Sequence, residues 1–143
     1  MTERRVVPTQ RPWSEIMGYS RAVRVGSLIE VSGTTSVSPE GEVLHPGDPY
    51  AQTKEALGII VSALSELGAR PSDVVRTRLF VTDVDDWEKI AQAHGEFFAD
   101  VRPASSMVEV QRLLVPGLLV EIEATAVIDA SLSLGYQGIE GRA

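Results

Sequence analysis

One segment carries signals for both ends of a long helix, and it limits the folds that this chain can adopt. Asp48 precedes Pro49, which is typical of an N-cap residue followed by a proline at the first helical position. Apolar residues then recur at steps of three and four from Ala56 to Leu67, as on one face of a helix. Gly68 follows, where a left-handed glycine often ends a helix. The sequence therefore predicts a helix from about Pro49 to Leu67.

Shorter segments around this helix alternate between strand and helix patterns. β-Branched and aliphatic residues that are bounded by glycine and proline turns predict strands. A second helix is predicted from Asp83–Asp86 to Arg102, since Pro103 disfavours helical backbone at the residue before it. The predicted strands are a hairpin at 21–32, a short hairpin at 37–43, and single strands at 74–81, 106–110 and 118–128.

The order of these elements is strands, helix, strand, helix and two strands, which is typical of an α+β fold. We expect a mixed β-sheet with both helices packed on one of its faces. Alternate strand positions carry valine and leucine, so the other face would expose apolar side chains unless another copy of the chain covered it. The pattern therefore also predicts an oligomer.

The predicted second helix has an apolar face of its own. Trp87, Ile90, His94 and Phe97 recur at helical spacing, with Phe98 beside them. This spacing predicts that these residues form the apolar face of the helix.

Composition excludes several kinds of chemistry. The 143 residues include no cysteine and only two histidines, His45 and His94. Disulfides, thiolate catalysis and cysteine-based zinc sites are thereby removed, and we expect no bound metal. The net charge of −7 argues against a nucleic-acid partner, because binding to phosphates requires a basic surface.

The length is that of one domain, which we assign to residues 1–130 with a C-terminal tail at 131–143. Ile139–Arg142 has the sequence of a factor Xa cleavage site, so this tail is either an engineered remnant or a native extension. Residues 1–10 lack the apolar core of a secretory signal, and no run of 18 apolar residues occurs. These features predict a cytoplasmic protein with no membrane partner.

Three parts of the chain, in this order and spacing, resemble a known family. They are Gly18–Ser20 with Val31–Gly33, then Asp73–Asp83 with Phe97–Phe98, and then Arg102–Val110 with Leu119–Ala124. With the connecting helices they cover about residues 15–128. The chain resembles the RidA/YjgF family.

This resemblance implies a chorismate-mutase-like fold that assembles as a homotrimer with clefts between its subunits. It also implies hydrolysis of reactive enamines and imines, such as 2-aminoacrylate, to a keto acid and ammonia, with no cofactor. The expected ligand is therefore a small molecule.

One position departs from the family pattern. In active members an arginine follows a Pro-Ala pair and binds the substrate carboxylate, whereas here Ser105 follows Pro103–Ala104. A guanidinium offers a charged fork and a serine one neutral hydroxyl, so affinity should fall by roughly ten- to a hundredfold. The usual 2-imino acids are therefore not expected as substrates. Arg78 and Arg102 are either replacements for the missing arginine or ordinary surface and interface residues.

Glu121 matches the family's glutamate, and the resemblance assigns it the orientation or activation of a water for attack on the imine carbon. A carboxylate within hydrogen-bond reach of that water can act as a general base, more so if burial raises its pKa. The backbone carbonyl of Met107 would be the water's second partner. Taken alone, Glu121 and Glu123 alternate with Val120 and Ile122, which is more typical of solvent-facing side chains.

The resemblance also assigns Tyr19 and Ser32 to the cleft, where either hydroxyl can position a polar ligand. Gly33 either lets the backbone approach a ligand or only marks a bulge. His94 is either a hydrogen-bonded core histidine or a titratable group at the cleft. An asparagine that lines the cleft in many members has no match, since this chain contains none.

Two functions are compatible with these residues. One is a hydrolytic deaminase of an enamine or imine metabolite other than the usual 2-imino acids. The other is a non-catalytic small-metabolite-binding or sensor protein that uses the same inter-subunit cleft. RNA cleavage is disfavoured by the acidic charge, and a trimeric scaffold without a ligand is a further alternative.

Overall fold

The computed structural model describes residues 3–129, which form one six-stranded sheet with three α-helices. The predicted tail at 131–143, including Ile139–Arg142, lies outside the described residues. The elements are β1 Arg4–Val7, α1 Ser14–Met17, β2 Ala22–Val25, β3 Leu28–Thr34, α2 Pro49–Glu66, β4 Val74–Val81, α3 Trp87–Phe98, β5 Ala104–Glu109 and β6 Val120–Val127. Single 3-10 turns, Pro71–Asp73 and Val84–Asp86, precede β4 and α3.

The strands lie in the order β1-β2-β3-β6-β4-β5. Neighbouring strands are antiparallel except β4 and β5, which pair in parallel. Parallel neighbours need a crossover connection, and α3 with its flanking turns supplies it. The predicted mixed sheet of an α+β fold is confirmed.

The hydrophobic core lies between one face of the sheet and the two long helices. On β6, Val120, Ile122 and Ala124 are buried while Glu121 and Glu123 are only half-buried. Helix α2 contacts β3, β6 and α3. The predicted alternation along β6, and the packing of the long helices on one face, are confirmed.

Helix α2 begins as its sequence predicts. The Asp48 side chain accepts a hydrogen bond from the Ala51 backbone N–H at 3.0 Å, and Pro49 occupies the first turn. Gly68 follows the C-terminal cap with a φ of 84°, a left-handed conformation that glycine adopts without steric cost.

The structure corrects the predicted face of the second helix. Ile90, Ala93 and Phe98 are the buried residues of α3, whereas Trp87 is 54% exposed. Trp87 is the first residue of α3 and lies one turn before the first buried position, Ile90. Helical spacing identifies a face but does not show where along that face the packing begins.

Two short elements at the N-terminal end were not predicted. β1, of the sequence Arg-Arg-Val-Val, pairs only with β2 among the described strands, and α1 is a single turn of four residues. Neither is long enough to show a periodicity. The short hairpin expected at 37–43 is one antiparallel bridge between Val37 and Val43.

We predict that Asp48→Ala lowers the free energy of unfolding by about 1 kcal/mol, because the Ala51 N–H loses its acceptor. Urea denaturation followed by circular dichroism measures this change. Asp48→Asn is the matched control, since its amide oxygen can still accept the bond, and it should differ from the parent by only a few tenths of a kcal/mol. An equal loss in both variants would show that the charge, rather than the hydrogen bond, stabilises the helix start.

Candidate active site

A cleft of about 590 Å³ lies where β3 and β6 meet the segment around α1 and the loop that precedes β6. Tyr19, Ser32, Gly33 and Glu121 all line it. The structure therefore brings together four of the nine residues that the sequence analysis considered for the site. They come from the loop after α1, from β3 and from β6, which are separated by up to about a hundred positions in sequence.

The shape of β3 at this cleft depends on a bulge. Val31 pairs with Ala124 of β6, and Thr34 with Ile122, so β3 has one residue more than its partner over this interval. A bulge bends the strand and redirects its side chains. Here the irregular interval contains Ser32 and Gly33, the two β3 residues that were expected at a cleft.

Gly33 permits the close approach of the Glu121 carboxylate. A Cβ atom at position 33 would lie 2.8 Å from Glu121 Cδ and 3.0 Å from its Oε2. Real Cβ atoms do not come so close to other heavy atoms, so any larger residue would displace the carboxylate. Gly33 is therefore required for this contact, rather than for an unusual backbone angle.

The environment of Glu121 changes its acidity. Burial is the main cause that raises the pKa of this carboxyl, and the charge of Glu123 acts in the same direction, whereas Arg21 opposes both. Within residues 3–129 no group donates a hydrogen bond to the Glu121 carboxylate or forms an ion pair with it. Such a carboxylate is available to a water or a ligand.

The hydroxyls of Tyr19 and Ser32 take part in different hydrogen bonds within the protein. Tyr19 Oη accepts a hydrogen bond from Trp13 Nε1 at 2.9 Å, and since an indole N–H can only donate, the proton of Tyr19 remains available. Ser32 Oγ donates to the Ser20 carbonyl oxygen at 2.6 Å, so its oxygen is left to accept. The cleft thus presents a donor at Tyr19 and an acceptor at Ser32.

Arg21 stabilises the bulge through hydrogen bonds. Its guanidinium is buried, and it donates to the Gly33 carbonyl oxygen at 3.0 Å and to Oγ1 of Thr34 at 2.9 Å and of Thr9 at 3.1 Å. Burial is the main cause that lowers its pKa. Sequence reasoning missed Arg21, and the only signal for it was its place directly after the Tyr19–Ser20 segment.

Arg78 and Arg102, the replacements considered for the missing arginine, do not line this cleft. Arg78 is exposed on β4, with Nη1 3.8 Å from Oε1 of Glu123. Arg102 is exposed in the turn after α3 and has a φ of 55°. Within residues 3–129, the arginines that line the cleft are Arg11, Arg21 and Arg112.

Ser105, Met107 and His94 lie elsewhere in the same chain. Ser105 Oγ is 2.8 Å from Thr77 Oγ1, and that oxygen is 2.8 Å from His94 Nε2. Ser105 pairs with buried Thr77, so its side chain belongs to the helix-covered face of the sheet, whereas Glu121 belongs to the opposite face. Within one chain these residues therefore cannot share a cleft.

Met107 and His94 are both partly buried against the core. Met107 pairs with Leu79 and packs on the core cluster. The His94 ring stands 4.8 Å from the ring of Phe98, and burial lowers its pKa, which favours the neutral imidazole.

Other features of the described chain bear on function. Residues 3–129 contain no cluster of three or more histidine, aspartate or glutamate side chains placed to hold a metal ion. None of the helices in this range is both long and apolar enough to cross a membrane.

Comparison with known proteins agrees with this fold. A family model described as endoribonuclease L-PSP matches residues 9–128. A crystal structure of a YjgF/YER057c/UK114 family member from Mycobacterium tuberculosis superposes with a TM-score of 0.80 at 44% identity, over 88% of this chain and all of that one. The chain belongs to the RidA/YjgF family.

Two curated relatives span nearly the same length. An uncharacterised protein of Streptomyces coelicolor is 38% identical over 123 residues, which cover 85% of this chain and 90% of that protein. The 2-iminobutanoate/2-iminopropanoate deaminase of Escherichia coli K12 is 33% identical over 127 residues, which cover 86% of this chain and 97% of that enzyme. The family thus includes both named deaminases and members without a named activity.

We predict that Glu121→Gln stabilises the protein at pH 7.5 but not at pH 4. The pKa of Glu121 is about 4.3 in the unfolded chain and higher in the folded chain. At pH values between these two pKa values, the folded chain holds a proton on Glu121 that the unfolded chain has released. Stability therefore falls as pH rises through this interval, and removal of the charge restores it.

Urea denaturation of Glu121→Gln and the parent at the two pH values tests this. Glu88→Gln, at an exposed site on α3, is the control and should show no comparable gain at pH 7.5. If Glu121→Gln is less stable than the parent at pH 7.5, the carboxylate has a stabilising partner and our description of its environment is wrong.

Proposed function

We propose that this protein is a hydrolytic deaminase of a small enamine or imine, with Glu121 as the residue that orients and activates water. The observation that carries the proposal is the half-buried, unpartnered Glu121 carboxylate against Gly33, in a cleft shared with Tyr19 and Ser32. The Escherichia coli relative that is named as an iminobutanoate and iminopropanoate deaminase supports the reaction class.

The reaction needs only water. Glu121 accepts a proton from a water as its oxygen bonds to the imine carbon, and the C=N π electrons pass to nitrogen, which takes up a proton. The resulting carbinolamine breaks its C–N bond when nitrogen is protonated again, and ammonia leaves. The hydroxyl then loses its proton as the carbonyl forms. A carboxyl with a raised pKa suits both proton steps, because it is a stronger base than an ordinary glutamate.

The substrate is one other than the usual 2-imino acids. Ser105 holds the place of the family's carboxylate-binding arginine, and its hydroxyl is already hydrogen-bonded to Thr77. A neutral hydroxyl with a partner of its own cannot replace a charged fork.

We further propose that the active cleft lies between subunits of a homotrimer. The division of Ser105 and Glu121 between opposite faces of one sheet supports this, because a neighbouring copy can bring its β5 to the cleft of the first. Val75 and Val108 also remain 47% exposed, which favours burial by a partner. Light scattering should give three times the mass of the chain, and a monomer at micromolar concentration would exclude the shared cleft.

A non-catalytic ligand-binding or sensor function is the second candidate. It is favoured by Ser105 and by the absence of any asparagine in the chain, since both depart from the pattern of active relatives. In this case the same cleft would bind a small metabolite without turnover.

Ammonia release from a panel of imines, generated in situ from amino acids and from neutral amines, separates the two candidates. We expect turnover by the parent, a loss of about 10²–10⁴-fold in Glu121→Gln, and no change in Glu88→Gln. Binding without ammonia release by the parent would favour the sensor function and refute the deaminase.

Gly33→Ala should reduce turnover in the same assay by a smaller factor than Glu121→Gln. The added methyl group forces the Glu121 carboxylate away from β3, and because the end of a glutamate side chain moves easily, the fold should be retained. Circular dichroism and the urea midpoint check the fold. Full activity in Gly33→Ala would show that the position of the carboxylate is unimportant.

A further inference from the structure

Arg11 is a cation of the cleft for which the protein supplies no partner. It is half-buried and lines the same cleft as Glu121. Within residues 3–129 its guanidinium has no hydrogen bond and no ion pair, although its backbone N–H bonds to Thr9 Oγ1. Because burial of an unpaired charge is costly, a half-buried guanidinium without a partner is best explained by a ligand that it serves.

The surroundings of Arg11 do not neutralise it. Burial is the main cause that lowers the pKa of Arg11, and the nearby buried guanidinium of Arg21 lowers it further. Tyr19 and Glu55 act in the opposite direction. The Glu55 carboxylate has its own contact, with His45 Nε2 at 3.2 Å. Of the two neighbouring guanidinium groups, Arg21 is also opposed by the Glu121 carboxylate, whereas the only carboxylate that acts on Arg11 is Glu55, among residues 3–129. The Arg11 side of the cleft therefore favours an anion.

The hydrogen-bonding groups of the cleft are also separated, with free donors near α1 and acceptors on β3 and β6. Arg11 and the Tyr19 hydroxyl, on either side of α1, are free to donate. Ser32 Oγ has used its proton on Ser20, and the Glu121 carboxylate has only acceptors. A ligand that satisfies both sides carries an oxyanion toward α1 and N–H groups toward β3 and β6.

We propose that Arg11 is the anion-binding residue of this cleft and that, with the Tyr19 hydroxyl, it holds an oxyanionic group of the ligand. The inference builds on the proposed deaminase, whose imine nitrogen would face Ser32 and Glu121. Arg11 supplies from the segment before α1 the charge that Ser105 cannot supply from β5. The acid group of the ligand is then held at a different place relative to the C=N bond, which accounts for a changed substrate choice.

Calorimetric titration with three probes tests the assignment. The probes are pyruvate, its neutral amide and inorganic phosphate, and the proteins are the full-length parent, Arg11→Ala, Arg11→Lys and Arg112→Ala. Pyruvate or phosphate should bind the parent, with the better of the two indicating a carboxylate or a phosphate ligand. Arg11→Ala should weaken this binding about ten- to a hundredfold, with Arg11→Lys intermediate and the amide insensitive to both changes.

Arg112→Ala is the matched control, because Arg112 lines the cleft but is exposed, where its charge is screened. It should change anion affinity by less than threefold. Arg11→Ala should also melt no lower than the parent without ligand, since it removes a charge that Arg21 repels, and it should lose the rise in melting temperature that the anion gives the parent.

Several results would overturn the assignment. The assignment is wrong if the parent binds neither anion at millimolar concentration, or if Arg11→Ala binds the anion as tightly as the parent. It is also wrong if Arg112→Ala loses more anion affinity than Arg11→Ala. The deaminase proposal is tested separately, because Glu121→Gln should keep its anion affinity while it loses ammonia release. A parent that binds pyruvate through Arg11 but releases no ammonia would refute only the catalytic proposal.

Discussion

The close packing of the Glu121 carboxylate against Gly33 is the contact on which the rest of the site depends. It needs a residue without a side chain at position 33, and it needs β3 to bulge where it meets β6. Arg21 holds that bulge from within the protein through the Gly33 carbonyl oxygen and the Thr34 hydroxyl. Burial and Glu123 raise the pKa of Glu121 and Arg21 lowers it, so the buried arginine that holds the bulge also acts on the acidity of the carboxylate.

The sequence was sufficient to predict most of the fold, because the elements that build the core are long enough to show their periodicity. The capped helix α2, the strand at 74–81 and the alternation along β6 all have the predicted form. β1 and α1 have four residues each and depend on tertiary partners. The exposure of Trp87 was missed for a related reason, since spacing along a helix contains no information about where the sheet ends.

Prediction of the site was limited by what a resemblance can transfer. It named Tyr19, Ser32, Gly33 and Glu121, which lie in one cleft, and also Ser105, Met107 and His94, which lie elsewhere in the same chain. Arg11 and Arg21 could not be found in this way, because neither belongs to a motif. Their importance appears only when burial and hydrogen-bond partners are known, since an arginine in a sequence is ordinarily a surface residue.

Ser105 stands where the family pattern has an arginine, and its hydrogen-bond partners change this site beyond the loss of the arginine's charge. Its hydroxyl bonds to Thr77, which in turn contacts the imidazole of His94, and burial lowers the pKa of that imidazole, which favours its neutral form. The β5 side therefore contains an uncharged polar chain, while Arg11, before α1, is a cleft cation whose guanidinium has no hydrogen bond or ion pair within the described part of the chain. In the proposed inter-subunit cleft, an anion is attracted to Arg11 rather than to a neutral hydroxyl that already has a partner. Under the proposed function, a substrate approaches Glu121 with its acid group toward Arg11.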